Sequence, residues 1–191
     1  GTAVRADVTV TFIALKRGLF TLQAPDYTGA IEFSDLAVPP DVYEAVPATC
    51  QRLELEPLLE CLPPRPATAH KGLYGTVLVA GGDYGFAGAA ALAAEAALRC
   101  GAGLVQVATR AEHVAALVAR TPEVMPRAVS GGDDLVPMLA VADVLVVGPG
   151  LGQSRWSTEL LRLCLGSGKP LVLDADGLNL LAAGVLGDVP P

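Results

Sequence analysis

From Pro66 onward, short runs of consecutive apolar residues alternate with longer segments in which apolar residues recur every three or four positions. The short runs predict strands buried on both faces, and the longer segments predict helices. Such alternation is typical of an α/β fold with a mostly parallel sheet and helices on both faces. The predicted strands are 76–80, 104–108, 143–148 and 170–174, and the predicted helices are 88–100, 111–119, 134–142, 156–165 and 176–183.

The first 66 residues follow a different pattern. The alternating, β-branched segment 8–15 predicts a strand, and residues 30–33 predict a second, shorter one. No further strand is predicted to join them, and a sheet of two strands is marginally stable, so we expect residues before Gly1 to complete it. Prolines between 39 and 66 frame a Leu/Glu-rich segment, 53–62, which is typical of a connection between domains.

Composition excludes several classes of function. Of the 191 residues, 52% are hydrophobic and 17% are charged, which is ample material for a compact core. The formal net charge of -7, with 13 Lys and Arg residues, argues against a nucleic-acid partner, because such a partner requires a basic surface. The longest apolar stretch, residues 135–147, is interrupted by Asp143 and is too short to cross a bilayer, so no membrane association is expected.

The four cysteines, Cys50, Cys61, Cys100 and Cys164, lack the spacing of a metal site or of a disulfide framework. We interpret them as buried free thiols, since two of them lie in apolar helical segments. No signal peptide opens the chain, so the sequence favours a cytoplasmic protein.

Two glycine-rich turns that follow predicted strands are the sharpest candidates for ligand binding. Residues 81–89, GGDYGFAGA, lead into an alanine-rich helix, where glycine permits close approach and the helix N-terminus offers free N–H groups and a positive dipole. Residues 148–152, GPGLG, expose several backbone amides in a short arc. The alternative for each is an ordinary tight connection, since neither is a Walker A motif or a strict G-x-G-x-x-G sequence.

Other polar residues are weaker candidates, and each has a plain alternative. Lys71 could place a positive charge beside a phosphate and His70 could act in acid–base chemistry, although both also suit an ordinary loop. Asp174 ends a predicted strand and could point toward a ligand, with Asn179 in the next helix. Asp176 could instead simply cap that helix.

Three further residues are interpreted as structural. His113 lies in a helical segment of the sequence, so we expect it on a solvated helix face. Glu95 and Arg99 are four residues apart on the alanine-rich helix, so we expect an ordinary ion pair between them. The sequence contains no Ser-His-Asp or Cys-His set typical of a nucleophilic enzyme.

Several motifs, taken in their order along the chain, resemble one family. They read HKGLYG (70–75), GGDYGFAGA (81–89), ALRCGAGLV (97–105), TPEVM (121–125), GPGLG (148–152) and VLDADGLNLL (172–181). In this order they are similar to the ADP/ATP-dependent NAD(P)H-hydrate dehydratases. The resemblance implies a ribokinase-like α/β fold and a lyase that restores NADH or NADPH from the hydrated form, coupled to nucleotide hydrolysis.

The beginning of the chain resembles a second domain. Residues 6–19, ADVTVTFIALKRGL, are similar to the closing strands of the Rossmann-like NAD(P)H-hydrate epimerase domain, an isomerase that bacterial members fuse ahead of the dehydratase. The comparison implies three parts: residues 1–40 as the C-terminal remnant of the epimerase domain, 41–66 as a linker, and 67–191 as the N-terminal part of the dehydratase domain. The potassium-binding residues of the epimerase are then expected upstream of Gly1.

Carried over by position, the resemblance also implies a set of ligand contacts. Ala89 and Gly152 would contact the hydrated nicotinamide nucleotide. The pocket would be shaped by Gly81, Gly82, Gly88, Gly148 and Gly150, and looser substrate contacts are implied for Lys71, Asp174 and Asn179. ADP or ATP with Mg²⁺ is the expected cosubstrate, and no metal ligand is assigned to this chain.

The family's acid–base aspartate is expected beyond Pro191, so the 191-residue chain alone is expected to be inactive. Two alternatives stay open at this point. A ribokinase-like kinase that phosphorylates a vitamin-like alcohol or a sugar would share the fold. A nucleotide-binding or oligomer-forming fragment without catalysis would also fit the chain. For the dehydratase we expect a small-molecule substrate and a homo-oligomer.

Overall fold

The computed structural model describes residues 3–184, which divide into two compact units, one ending at Pro64 and one beginning at Arg65. The first unit contains strands β1 (Val8–Phe12) and β2 (Ala30–Ser34) and helices α1 (Pro25–Thr28), α2 (Pro40–Ala45) and α3 (Leu55–Glu60). The second contains strands β3 (Thr76–Ala80), β4 (Leu104–Thr109), β5 (Met125–Ala128), β6 (Val144–Val147) and β7 (Leu171–Leu173), and helices α4 (Ala87–Cys100), α5 (Ala111–Arg120), α6 (Gly132–Val141), α7 (Arg155–Gly166) and α8 (Asp176–Ala182). Short 3-10 helices lie at Arg17–Leu19 and Lys71–Tyr74.

In the first unit, the two predicted strands pair with each other. β1 and β2 run parallel, with Val8 opposite Ala30 and Phe12 opposite Ser34. β1 ends three residues earlier than predicted, because Ile13 has a positive φ of 68°, which turns the chain out of the strand. The proline-framed segment between positions 39 and 66 carries the short, exposed helices α2 and α3.

In the second unit, five strands form one sheet in the order β5-β4-β3-β6-β7, and every neighbouring pair is parallel. The four predicted strands and all five predicted helices are present. The prediction of an α/β fold with a parallel sheet is therefore confirmed.

Two apolar cores cover the two faces of this sheet, because side chains along each strand alternate between them. The first core joins the sheet to α6, α7 and α8, and its fully buried members include Leu78, Leu145, Leu135, Leu160 and Leu161. The second joins the sheet to α4 and α5, and its buried members include Val79, Val105, Val107, Ala90 and Ala94. Helices on both faces are thus confirmed as well, and each buried leucine contributes about 2 kcal/mol by leaving water.

Strand β5 is not predicted by the sequence pattern. Its four residues, MPRA, lack a β-branched run and contain Pro126, which cannot donate a ladder hydrogen bond. β5 lies at the edge of the sheet and pairs only with β4, where a proline is tolerated. Pairing with a neighbour, rather than intrinsic propensity, makes this segment a strand.

The interpretation of all four cysteines as buried thiols is wrong for three of them. Cys50, Cys61 and Cys100 are exposed, whereas Cys164 is a buried member of the first core, and all four are free. Burial raises the pKa of the Cys164 thiol to about 12. None of the helices in residues 3–184 has the length and hydropathy needed to cross a membrane.

We predict that Gly148→Ala lowers the free energy of unfolding by about 3 kcal/mol, because a side chain would be forced into a closely packed turn. Gly148 has a φ of +125°, and a Cβ atom there would lie 1.7 Å from Asp174 O. Gly166→Ala is the control, since Gly166 ends α7 and has no neighbouring atom within 4 Å of a built Cβ. Urea denaturation measures both variants, and equal stability of the two would contradict the prediction.

Candidate functional site

The carboxyl ends of β3 and β6 lie side by side, since these strands pair from Val77–Val144 to Ala80–Val147. The chain leaves β3 for α4, which is buried in the second core, and leaves β6 for α7, which is buried in the first. The two connections therefore diverge to opposite faces of the sheet. In α/β proteins, ligands bind in the crevice that forms where the strand order reverses in this way.

The turn after β3 contacts the turn after β6 through backbone groups. Gly82 N–H donates to Pro149 O at 3.1 Å, and Asp83 N–H donates to Gly150 O at 2.7 Å. A Cβ atom at Gly81 would lie 2.1 Å from Pro149 O, so only glycine permits this approach. The structure thus brings together the two glycine-rich turns that the sequence pattern selects.

The first turn of α4 borders open space. Gly88 is exposed, and a Cβ atom built on it has no heavy atom within 4 Å. Within residues 3–184, the N–H groups of Ala87 and Gly88 have no hydrogen-bond acceptor, whereas Ala89 N–H donates to Phe86 O at 3.1 Å. Unpaired N–H groups at the positive end of a helix dipole favour an anionic ligand group.

The turn after β6 reaches toward the start of α4 and toward α8. A Cβ atom at Gly150 would lie 2.6 Å from Phe86 O, so the second turn lies directly against the residue before α4. Gly152 N–H donates to Asp176 Oδ2 at 2.9 Å. Gly148, which links β6 to this turn, is buried.

The segment after β7 adds carboxylate and amide groups at the carboxyl ends of the strands. Asp174 is exposed there. Asp176 does not cap α8, because Ala175 occupies the N-cap position without a side-chain hydrogen bond. Instead, Asp176 accepts from Gly152 N–H and, through Oδ1, from Asn179 Nδ2 at 3.2 Å. Asp176 is therefore a bridge between α8 and a glycine turn, and not the N-cap that the sequence left open as an alternative.

Lys71 lies at the opposite end of the strands, where their amino ends are. It begins the 3-10 helix Lys71–Tyr74 that precedes β3, and a Cβ atom at Gly103, directly before β4, would lie 1.8 Å from Lys71 O. Both positions are at the amino ends of strands, whereas the glycine turns follow carboxyl ends. The structure therefore brings neither Lys71 nor the adjacent His70 to the candidate site.

Asp83, inside the first glycine turn, and Arg110 form an ion pair in this site, although the sequence analysis assigns no role to either side chain. Arg110 Nε donates to Asp83 Oδ1 at 2.7 Å, and Asp83 is only 8% exposed. Burial alone would raise the pKa of Asp83, but hydrogen bonds from Arg110, Tyr84 N–H and Ser154 hold it below its ordinary value of 3.8. The signal that could have identified the pair is that both residues follow the carboxyl ends of strands.

His113 is half-buried beside the first glycine turn, so the expectation of a solvated helix face is wrong. Its Nδ1 atom lies 3.0 Å from Gly82 O and 3.3 Å from Thr109 Oγ1. Thr109, which is fully buried, also donates to Gly82 O at 2.8 Å. His113 is close to this turn because α5 begins directly after β4, so the first turn of α5 lies at the carboxyl ends of the strands, as the glycine turns do.

Glu95 pairs with Arg120 rather than with Arg99, so the ion pair expected along one helix is wrong. Arg120 Nε donates to Glu95 Oε1 at 2.6 Å, and Thr121 Oγ1 donates to the same atom at 2.7 Å. These hydrogen bonds lower the pKa of Glu95 to about 2. Tertiary contact between α4 and the end of α5 supplies a better-placed arginine than the one four residues away.

Comparisons with known proteins show the family to which this chain is similar. Residues 77–186 match the family described as NAD(P)H-hydrate dehydratase. The bifunctional NAD(P)H-hydrate repair enzyme of Coxiella burnetii is 52% identical over 182 residues, which cover 95% of this chain and 37% of that protein. A solved ribokinase-like superfamily protein from Enterococcus faecalis has a TM-score of 0.60 at 30% identity, covering 64% of this chain and 44% of that one.

A second solved structure is the ADP/ATP-dependent NAD(P)H-hydrate dehydratase from Bacillus subtilis, co-crystallized with ATP and Mg²⁺. It has a TM-score of 0.52 at 30% identity, covering 61% of this chain and 42% of that one. The chain spans little more than a third of the length of the curated C. burnetii relative. The family match includes both glycine-rich turns and extends over more than half of the chain. On these grounds the chain has a ribokinase-like fold and belongs to the NAD(P)H-hydrate dehydratase family.

Proposed function

We propose that this chain forms the substrate-binding half of a nucleotide-dependent NAD(P)H-hydrate dehydratase, with the hydrated nicotinamide nucleotide in the crevice between β3 and β6. The observation that carries this proposal is the meeting of two glycine-rich turns where the strand order reverses. Unpaired backbone N–H groups border that crevice, as they do in other α/β sites for nucleotides. Membership of the family supports the substrate class.

The proposed contacts lie on both turns and at the end of β7. The N–H groups of Ala87 and Gly88 bind a phosphate of the substrate, because they are unpaired and lie at the positive end of α4. Ala89 and Gly152 contact the rest of the nucleotide. Gly81, Gly82, Gly148 and Gly150 let the two turns approach each other, and Asp174 and Asn179 hydrogen-bond substrate hydroxyl groups. Lys71, at the amino ends of the strands, is left out of the proposed site.

The proposed reaction dehydrates the S form of NAD(P)H hydrate. The hydroxyl oxygen of the hydrate attacks the terminal phosphoryl group of ADP or ATP, its proton passes to solvent, and the phosphoanhydride bond breaks to release AMP or ADP. The phosphate ester then loses inorganic phosphate while a proton leaves the neighbouring ring carbon, which restores the dihydropyridine. Phosphate is a better leaving group than hydroxide, so a kinase-like fold suits a dehydration. Co-crystallization of the B. subtilis relative with ATP and Mg²⁺ supports this choice of nucleotide and metal.

Residues 3–184 contain no group of three or more His, Cys, Asp or Glu side chains placed to hold a metal ion. No Mg²⁺ ligand, and no step through the metal, is therefore assigned to them. The role proposed for these residues is to bind and orient the substrate. We propose that the 191-residue chain by itself binds NAD(P)H hydrate without turning it over.

We propose the same organisation that the motifs imply, with residues 1–40 belonging to an epimerase domain, 41–66 to a linker and 67–191 to the dehydratase. The C. burnetii relative supports it, because that bifunctional enzyme matches 95% of this chain, including the first unit. A protein of that length would pair K⁺-dependent epimerisation with dehydration. We propose that it acts as a cytoplasmic homo-oligomer.

We predict that Gly88→Leu weakens binding of NADPH hydrate to the chain at least tenfold, or ~1.4 kcal/mol. The leucine would fill the open space in front of α4, and nothing in the fold clashes with a Cβ atom there. Gly166→Leu is the matched control, because Gly166 is also an exposed helical glycine without close neighbours, at the end of α7. Isothermal titration calorimetry measures both dissociation constants.

Equal effects of the two substitutions would contradict the proposed phosphate contact. If wild-type protein binds sugars or vitamin-like alcohols but not the hydrate, the dehydratase proposal fails and a small-molecule kinase replaces it. Thermal denaturation of each variant shows whether a loss of binding reflects a loss of fold.

We predict that a chimaera, in which this sequence replaces the matching segment of the C. burnetii enzyme, regenerates NADPH from its hydrate only with ADP or ATP. Fluorescence of the reduced nicotinamide ring reports the product. Removing Mg²⁺ with EDTA should abolish the activity, and adding Mg²⁺ back should restore it. Regeneration at an undiminished rate without any nucleotide would sink the phosphorylation step.

A further inference from the structure

Asp83 belongs to the first glycine-rich turn and is bonded to the segment that follows β6. Its N–H donates to Gly150 O at 2.7 Å, and its Oδ2 atom accepts from Ser154 Oγ at 2.9 Å. A Cβ atom at Gly152 would lie 3.2 Å from the same Oδ2, so the second turn packs against the carboxylate. Ser154 is also the N-cap of α7. Through its backbone N–H and its buried side chain, Asp83 therefore connects the turn after β3 with the turn after β6 and the helix that follows.

The cation that faces Asp83 is itself held in place. The Arg110 guanidinium lies 4.6 Å from the centre of the Tyr84 ring and 4.1 Å from the centre of the Trp156 ring. A cation over aromatic faces is stabilised by the ring quadrupole. Trp156 is anchored in turn, because its Nε1 donates to Val129 O at 2.9 Å. Arg110 follows β4, so this contact joins a third strand end to the two glycine turns.

The contacts of Asp83 stabilise its ionised form. Its two oxygen atoms accept from Arg110 Nε at 2.7 Å, from Tyr84 N–H at 2.9 Å and from Ser154 Oγ at 2.9 Å. An ionised carboxylate accepts all three bonds and faces the Arg110 cation, so these contacts favour the charged form.

We infer that ionised Asp83 is a positioning residue, which acts through Arg110 and Ser154 to hold the first turn of α4 and the turn after β6 facing one ligand. The identity of that ligand, NAD(P)H hydrate, rests on the proposed function. The positioning role itself is argued from the contacts of Asp83 and does not depend on which ligand binds.

Glu95 offers a matched control within the same unit. It also accepts from an arginine Nε, that of Arg120 at 2.6 Å, and from a hydroxyl group, that of Thr121 at 2.7 Å. This second cluster joins α4 to the end of α5 and contacts neither glycine turn. Glu95→Gln therefore removes a carboxylate from the same kind of cluster without touching the site.

The first test needs no ligand. Asp83→Asn keeps the size of the side chain and removes its charge, so amide hydrogen exchange at Gly82, Gly152 and residue 83 should rise at least about tenfold, while exchange in β3 stays within about twofold. Glu95→Gln should leave exchange in both turns unchanged. Unchanged exchange in the turns of Asp83→Asn, or a uniform rise throughout the second unit, would overturn the inference.

The second test uses NADPH hydrate as the probe. Asp83→Asn should weaken its binding at least tenfold, whereas Glu95→Gln should change it by less than about twofold. Wild-type protein that fails to bind the hydrate would count against the proposed function, while the exchange data would still decide the positioning role. Faster exchange in both turns with unchanged affinity would overturn the ligand part of the inference.

The charge of Asp83 also gives a pH signature. Because the pKa of Asp83 is held below 3.8 in the folded protein, its ionised form stabilises the fold above that pH, and this contribution is lost as the pH falls through the folded pKa. The difference in unfolding free energy between wild type and Asp83→Asn should be constant near neutral pH and shrink below about pH 4. A difference that does not change with pH would show that the carboxylate charge has no part in it.

Discussion

The parallel pairing of β3 with both β4 and β6 is the constraint on which the rest of the second unit depends. Because β3 is central, its two faces must be covered, and α4 and α7 cover opposite ones. The connections to these helices therefore begin at adjacent strand ends and diverge. Close approach of the two turns, the open first turn of α4 and the burial of Asp83 all follow from that single arrangement.

Hydrophobic patterning was sufficient to predict the elements that carry their own signal. The runs that became β3, β4, β6 and β7 are continuous and apolar, so they specify a sheet buried on both faces. The strand β5 carries no such signal, because its pairing with β4 exists only once the sheet has formed. Parts of the fold that depend on a neighbour, rather than on local periodicity, were invisible in the sequence.

The same distinction separates the site residues. Glycine turns could be selected from sequence, because both the residue type and the position after a strand are local properties. Partners of Asp83, Glu95 and His113 could not, since each is bonded to residues from other elements. Lys71 was selected by residue type and by the family resemblance, yet it precedes β3 and so lies the length of that strand away from the first glycine turn.

The glycines of this site differ in whether the packing of the fold requires them. At Gly81, Gly148 and Gly150 a side chain would collide with backbone carbonyl groups, so the scaffold itself demands glycine. At Gly88 a Cβ atom meets no heavy atom within 4 Å, so the packing of the scaffold does not demand glycine there. Residue 88 is therefore a position of this site that the bound ligand, rather than the fold, constrains.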